Sequence, residues 1–181
     1  MEKLKKDITI GNIILKNFMN LNDKEKEMVR NWRNNDVVRK WCYLEHIISV
    51  EEHYKFMKKL EEDNQKFYWL VKSKSEYLGV VNLYRVDFKN ENAYLGIYSN
   101  PQLKGMGSLL MECLKRIAFD IVHLHTLKLD VLKDNKKAIS FFEKSGFKKE
   151  GMLKEFVYKE GKYKNVVVMG LINKYENKNL Q

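Results

Sequence analysis

Ser99-Asn100-Pro101-Gln102-Leu103-Lys104-Gly105-Met106-Gly107-Ser108-Leu109-Leu110, near the middle of the chain, decides how the rest is read. An extended apolar run, Tyr94 to Tyr98, ends at Asn-Pro. The short loop after it carries Gln102, Gly105 and Gly107. An amphipathic pattern then starts at once, with Leu109, Leu110, Cys113, Leu114, Ile117 and Ala118 at helical spacing. Glycines beside a helix start let backbone N–H groups converge on one point, and the helix N-terminus adds partial positive charge. Such a loop suits a pyrophosphate.

Working outward, residues 8–18 alternate weakly and predict a first strand. Asn22 with Glu25, and Ser49 with Glu52, form capping-box patterns ahead of two helix faces: Met28, Val29, Trp32, then His53, Phe56, Met57, Leu60. Strands are predicted over 66–72, 77–87 and 92–98, and the short turns between them make an antiparallel meander. Downstream, a central helix over about 105–122 leads to a strand from Thr126 to Leu132. Asp134-Asn135 caps a helix with Ala138, Ile139 and Phe142 on one face, and Gly146 ends it. Strands over about 147–157 and 163–171 close the fold, and a polar tail follows from about 173. Only the unit around 94–132 demands a parallel pair. The predicted fold class is α+β: a single domain over residues 1–181, its central sheet mixed but mostly antiparallel and flanked by helices.

The 181 residues suffice to bury a core, and 44% hydrophobic content argues against disorder. No run reaches the ~18 apolar residues needed to span a bilayer, and Met1 to Asp7 leads into no apolar signal-peptide core. Cys42 and Cys113 are too few for a disulfide framework and are expected as reduced thiols in a cytoplasmic protein. The net charge of +10 is either a solubilising surface or an attraction for polyanions such as nucleotide cofactors, nucleotide-linked substrates or nucleic acid. The basic residues are dispersed rather than clustered among aromatics, which argues against a nucleic-acid reader. Four histidines without paired Cys/His spacing predict no metal site; His123 and His125 are expected to be structural.

Gly105 and Gly107 also begin a dinucleotide fingerprint, but its third glycine falls on Leu110, although Asp130 stands where a ribose-binding acid would. No repeated βαβ units surround the loop. A Walker loop is excluded, because no Gly-Lys-Ser/Thr follows. As plain structure, the glycines would mark a tight turn.

The pattern Gln102-x-x-Gly105-x-Gly107 resembles the acetyl-CoA signature Q/R-x-x-G-x-G/A of the GNAT N-acetyltransferase superfamily. Asn135-x-x-Ala138-x-x-x-Phe142-x-x-x-Gly146-Phe147 resembles its second motif, N-x-x-A-x-x-x-Y-x-x-x-G-F, and the strand order matches along nearly the whole chain. The resemblance implies a sheet splayed at its one parallel pair, with acetyl-CoA as cosubstrate and its pantetheine arm in the V. The backbone of Leu95, Gly96, Ile97 and Tyr98 is then implied in binding pantetheine, and N–H groups of Lys104, Gly105, Met106, Gly107 and Ser108 in binding pyrophosphate. Gln102 and Leu103 belong to the same loop. Asn135, Ala138, Phe141, Phe142 and Lys144 are implied on the coenzyme side; Lys136, Lys137 and Lys144 either pair with phosphate or are solvated helix surface.

Trp32-Arg33-Asn34, Trp41, Ile48-Ser49-x-x-x-His53, Tyr94 to Tyr98 and Leu124-His125-x-Leu127-x-Leu129 narrow the resemblance. They are similar to members that acetylate the 4-amino group of a UDP-linked amino sugar in pseudaminic acid biosynthesis, for flagellin glycosylation. This similarity, over about 14–171, implies Arg33, His53, Tyr84, Arg85 and Tyr98 near the nucleotide sugar. A guanidinium matches phosphate bidentately; His53 is equally a satisfied helix-face residue, and Tyr84 replaces a smaller one. The same N-terminal third fits acetyltransferases of ribosomal-protein N-termini, and a non-catalytic acyl-CoA-binding module is a third reading.

For the chemistry, Asp130 acting through water is the candidate general base, where similar enzymes carry Glu; as plain structure it ends a strand. Asn82 is the candidate to orient the amine, and a backbone N–H near Ile97 or Tyr98 to stabilise the oxyanion. Phe142 replaces the usual tyrosine acid and has no proton to give, so water, Ser140 or Tyr98 is expected to serve. The expected partner is a small-molecule nucleotide sugar, with no nucleic acid or membrane, and the expected state is a monomer or homodimer.

Overall fold

The computed structural model describes residues 2–174, so positions 175–181 of the polar tail lie outside it. Among the described residues eight strands form one sheet: β1 (Ile8–Ile10), β2 (Ile13–Asn17), β3 (Phe67–Lys72), β4 (Tyr77–Asp87), β5 (Asn92–Ser99), β6 (Thr126–Leu132), β7 (Lys148–Lys159) and β8 (Lys162–Ile172). Their order is β1-β2-β3-β4-β5-β6-β8-β7, and only β5 and β6 run parallel. The single strand expected over 8–18 is instead a hairpin. Gly11, at φ +57°, reverses the chain beside Asn12, a conformation glycine adopts without steric cost. The last hairpin is tighter than expected, because Glu160 and Gly161, at φ +53° and +73°, make a two-residue turn.

The helices are α1 (Asp23–Asn34), α2 (Asp36–Arg39), α3 (Val50–Glu62), α4 (Gly107–Lys115) and α5 (Lys136–Lys144). Both predicted capping boxes form, at Asn22/Glu25 and Ser49/Glu52; a cap of this kind contributes about 1 kcal/mol. The first also anchors α1 to the sheet: buried Glu25 takes an ion pair from Lys16 (2.6 Å) and a hydrogen bond from the Tyr77 hydroxyl (3.0 Å). The central helix is shorter than expected. It starts at Gly107 and changes at Arg116 to a π-helical turn that runs to Ile121.

Alternation along the strands sends two sets of side chains to opposite faces. Trp69, Val81, Leu83, Leu95, Leu127 and Leu129 pack with Leu110, Leu114 and Ile117 of the central helix and Phe142 of α5. Leu70 and Val80 pack on the other face with Val29 and Trp32 of α1 and Met57 and Leu60 of α3. Among the described residues no helix is long and apolar enough to cross a membrane.

Candidate active site

The parallel pair holds together for three residues only. Asn92, Ala93 and Tyr94 pair with Thr126, Leu127 and Lys128. Beyond that point β5 continues against β4 alone and β6 against β8 alone. The edge of Leu95 to Ser99 that faces β6 therefore has no strand beside it, and its backbone groups border an open V. Extended amides of a ligand satisfy such an edge as a strand would.

The loop stands at the mouth of this V. Buried Asn100 fixes its start: Nδ2 donates to the Tyr77 carbonyl (2.9 Å) and Oδ1 accepts from the Gln102 N–H (3.0 Å). The Leu103 N–H donates to the Asn100 carbonyl (3.0 Å). The amides of Gln102 and Leu103 thus shape the loop from within. Gly105 sits at φ +80°, where a side chain is strained. At Gly107 a Cβ would stand 3.2 Å from the Phe141 ring, so the missing side chain lets α5 close against the start of α4. The helix N-terminus here is also bare: α1, α2, α3 and α5 are each capped by a side chain, but Met106 caps nothing. The first N–H groups of a helix have no intrahelical acceptor, so this group of amides suits the pyrophosphate expected there.

On α5, Asn135 spends its Oδ1 on the Ala138 N–H (3.1 Å), which leaves its amide nitrogen to offer. Ala138 and Phe141 pack against the core, while Lys136, Lys137 and Lys144 are exposed, as are Lys104 and Ser108. Phe142 is buried edge-on to Phe147, with ring centres 5.9 Å apart. Neither side chain expected to stand in for the missing tyrosine acid comes to it. Ser140 is exposed on the outer side of α5, and Tyr98 belongs to the opposite face of the sheet.

That opposite face gathers the acceptor-side candidates. Asn82 and Tyr84 of β4, Tyr94, Gly96 and Tyr98 of β5, and Asp130 of β6 alternate onto it. Gly96 stands directly opposite Asn82, whose side chain occupies the space a Cβ at Gly96 would take. Asn82 is buried, yet among the described residues its amide makes no hydrogen bond. Burial holds the Asp130 carboxyl above the ordinary range, and the Arg85 guanidinium opposes that shift. Arg85 leaves the β4 ladder at φ +50° and lies over the Tyr94 ring, 5.2 Å from its centre. Tyr84 packs on Tyr94 at 5.6 Å, and burial, with Asp130 nearby, pushes its phenol up.

Arg33 lies deeper along the same face, half-buried and in the electrostatic reach of Tyr68 and Tyr98. Burial raises both phenols, that of Tyr68 to about 12. Among the described residues Arg33 has no ion-pair partner. His53 is elsewhere: it is buried between α3 and α1, hydrogen-bonded to the backbone at Lys26, with Nε2 unpartnered and its pKa pushed down by burial. Its charged neighbours Arg30, Glu27 and Lys26 are all on α1, so the structure does not bring it to Asp130. In the Trp-Arg-Asn motif Asn34 is a clasp, exchanging hydrogen bonds of 2.9 and 2.8 Å with the Ile48 backbone.

Tyr43 escaped the sequence reading. It lies in the loop between α2 and α3, and its phenol is raised by burial and by Asp130, with Arg85 and Tyr94 also near. No periodicity or motif marks it. A separate open groove of about 950 Å³ runs between α1 and the β3–β4 turn, with Asp23, Glu27 and Glu76 on its walls and Gln102 at its end.

Residues 13–148 match the family described as Acetyltransferase (GNAT) domain. Acetyltransferase PseH of Campylobacter jejuni (strain 81-176) is 36% identical over 133 residues, 74% of this chain and 83% of that protein. The crystal structure of Campylobacter jejuni N-acetyltransferase PseH in complex with acetyl coenzyme A is 29% identical, covers 89% of this chain and 99% of its own, and has a TM-score of 0.69. A spermidine N-acetyltransferase from Vibrio cholerae in complex with CoA and spermine is 25% identical, covers 90% and 96%, and has a TM-score of 0.81. With the splayed parallel pair, the uncapped loop amides and these relatives together, the chain belongs to the GNAT acetyltransferases and is an acetyl-CoA-dependent N-acetyltransferase.

Proposed function

We propose that this enzyme transfers acetyl from acetyl-CoA to the 4-amino group of a UDP-linked 4-amino-4,6-dideoxy sugar. The step belongs to pseudaminic acid biosynthesis in the cytoplasm, for flagellin glycosylation, and the enzyme acts as a monomer or homodimer. The 36% identity to acetyltransferase PseH carries the reading. Two features support it physically. Among the described residues no carboxylate is in ion-pair contact with Arg33 or Arg85 on the acceptor face, which suits them to the diphosphate. The net charge of +10 favours a dianionic acceptor.

In this reading the amides of Lys104 to Ser108 take the pyrophosphate, the open edge of Leu95 to Tyr98 pairs with pantetheine, and Asn135 and Lys144 flank it. Asp130 takes the amine proton through a water, while Asn82 orients the nitrogen. The lone pair attacks the thioester carbonyl carbon, and a β5 N–H near Ile97 holds the oxygen as charge builds. The C–S bond then breaks, the nitrogen gives up its second proton to water as the amide forms, and the thiolate takes a proton from water. Tyr84 and Tyr98 complete the sugar side; His53, buried against α1, stays outside it.

A polyamine acceptor is the second reading, favoured by the 0.81 TM-score to the spermidine enzyme and by the acidic walls of the α1 groove. The overall positive charge opposes it. CoA release with a UDP-4-amino sugar, spermidine and ribosomal-protein N-terminal peptides decides the matter. The UDP sugar is expected to saturate with the highest kcat/KM; preference for spermidine or a peptide overturns the proposal.

A further inference from the structure

The tip of the last hairpin reaches across the molecule to the loop that carries Tyr43. Lys159, at the end of β7, is 3% exposed. Its ammonium donates to the Cys42 carbonyl (2.8 Å), 117 residues away in sequence, and to the Arg39 carbonyl (3.4 Å). Among the described residues no carboxylate pairs with it. Next to it, the Glu160 N–H donates to the Glu45 carboxylate (2.6 Å), and Arg39 donates to the Glu45 carbonyl (2.5 Å). An ammonium withdrawn from water is costly unless its donors are satisfied. Here it is satisfied only by the carbonyls at the end of α2 and in the loop that follows, so ammonium and loop hold each other in place. The residue after Cys42 is Tyr43, whose ring is two-fifths exposed and which shares the neighbourhood of Asp130, Arg85 and Tyr94.

We propose that Lys159 is a positioning residue that acts through Tyr43: by gripping the Cys42 and Arg39 carbonyls it sets the Tyr43 phenol at the acceptor end of the V, where it contacts the bound amine substrate. The inference rests on the reading of the Asp130 end as the acceptor site. It holds for any acceptor at the Asp130 end that offers the phenol an oxygen. The phenol keeps its proton beside Asp130 and Arg85, so it donates a hydrogen bond to an acceptor oxygen rather than competing for the amine proton.

The test uses the full chain and whichever UDP-amino sugar or peptide of the panel is turned over; turnover of spermidine alone, which has no oxygen for the phenol, overturns the proposal. Tyr43→Phe and Lys159→Met are each expected to raise the acceptor KM about tenfold, the worth of one hydrogen bond involving a charged partner. Calorimetry should find acetyl-CoA affinity unchanged. The double variant should fall well short of the product of the two effects, since the residues act as one unit, and Lys159→Arg should restore part of the loss. Unchanged acceptor KM in Tyr43→Phe, or fully multiplicative effects, overturns the proposal, as does a Lys159→Met variant that loses only thermal stability. If Lys159→Met does not fold, Glu45→Ala, which removes the neighbouring contact of Glu160 to the same loop, takes its place. Asp130→Asn separates the two ideas. Full turnover in that variant sinks the site reading and the clasp with it; an inactive Asp130→Asn beside an unaffected Tyr43→Phe sinks the clasp alone.

Discussion

Asp130 can act as a base only when ionised, and burial holds its carboxyl above the ordinary aspartate range while Arg85 pulls it back. The sign follows: kcat/KM rises as pH climbs through that raised value, and Arg85→Gln, which removes the opposing charge, moves the acid limb to still higher pH. An acid limb that stays put separates Arg85 from the base. Asp130→Asn should cost about 10²–10⁴ in kcat, the usual weight of a general base. At Phe142 a phenol in place of the phenyl restores a proton donor. Phe142→Tyr is expected to raise turnover several-fold at unchanged acetyl-CoA affinity; unchanged turnover means that thiolate, with a thiol pKa near 8.5, leaves without help. The shared face of Asn82, Tyr84 and Asp130 was legible, because they lie on strands, where alternation assigns a face. Tyr43 was not, because its place depends on a lysine 117 positions from its neighbour Cys42. His53 shows the converse: helical spacing placed it on a buried face, and the structure puts that face against α1.

Elements were legible where a turn or cap has a chemical signature. The two capping boxes, the meander of β3, β4 and β5, and the glycine end of α5 all came from such signals. The π-helical turn after α4 did not. Ile117 and Ala118 continue the apolar stripe through it, and a stripe does not report one extra residue in a turn. The first hairpin was hidden because β1 and β2 are only three and five residues long, too short for alternation to reveal the Gly11-Asn12 break. At this scale the pairing of Gly96 with Asn82 gives a further prediction. Gly96→Ala drives a methyl into the Asn82 side chain, at the ~1–3 kcal/mol typical of overpacking, and should raise the acceptor KM more than the acetyl-CoA KM. Equal effects on both would detach Asn82 from the acceptor side. Gly107→Ala, which presses on Phe141, should do the reverse and weaken acetyl-CoA first.

The whole molecule carries a net charge of +10 toward anionic acetyl-CoA and, on the proposed reading, an anionic acceptor. As ionic strength rises from about 0.01 M to about 0.15 M the screening length falls from ~30 Å to ~8 Å. Both values of kcat/KM should therefore drop while kcat holds; a rise in kcat/KM for the acceptor would mark that acceptor as a cation. Charge was fully legible in the composition, but its direction of action was not, since dispersed lysines say nothing of where the field converges. Five strands stand on one side of the β5–β6 seam and three on the other, joined there by three residue pairs. A chain of amides laid into that seam would work as a splint, mending the sheet it enters. Compounds built as short peptide mimics, long enough to reach from Leu95 to Tyr98 and to touch β6 as well, should both stiffen this protein against heat and jam it.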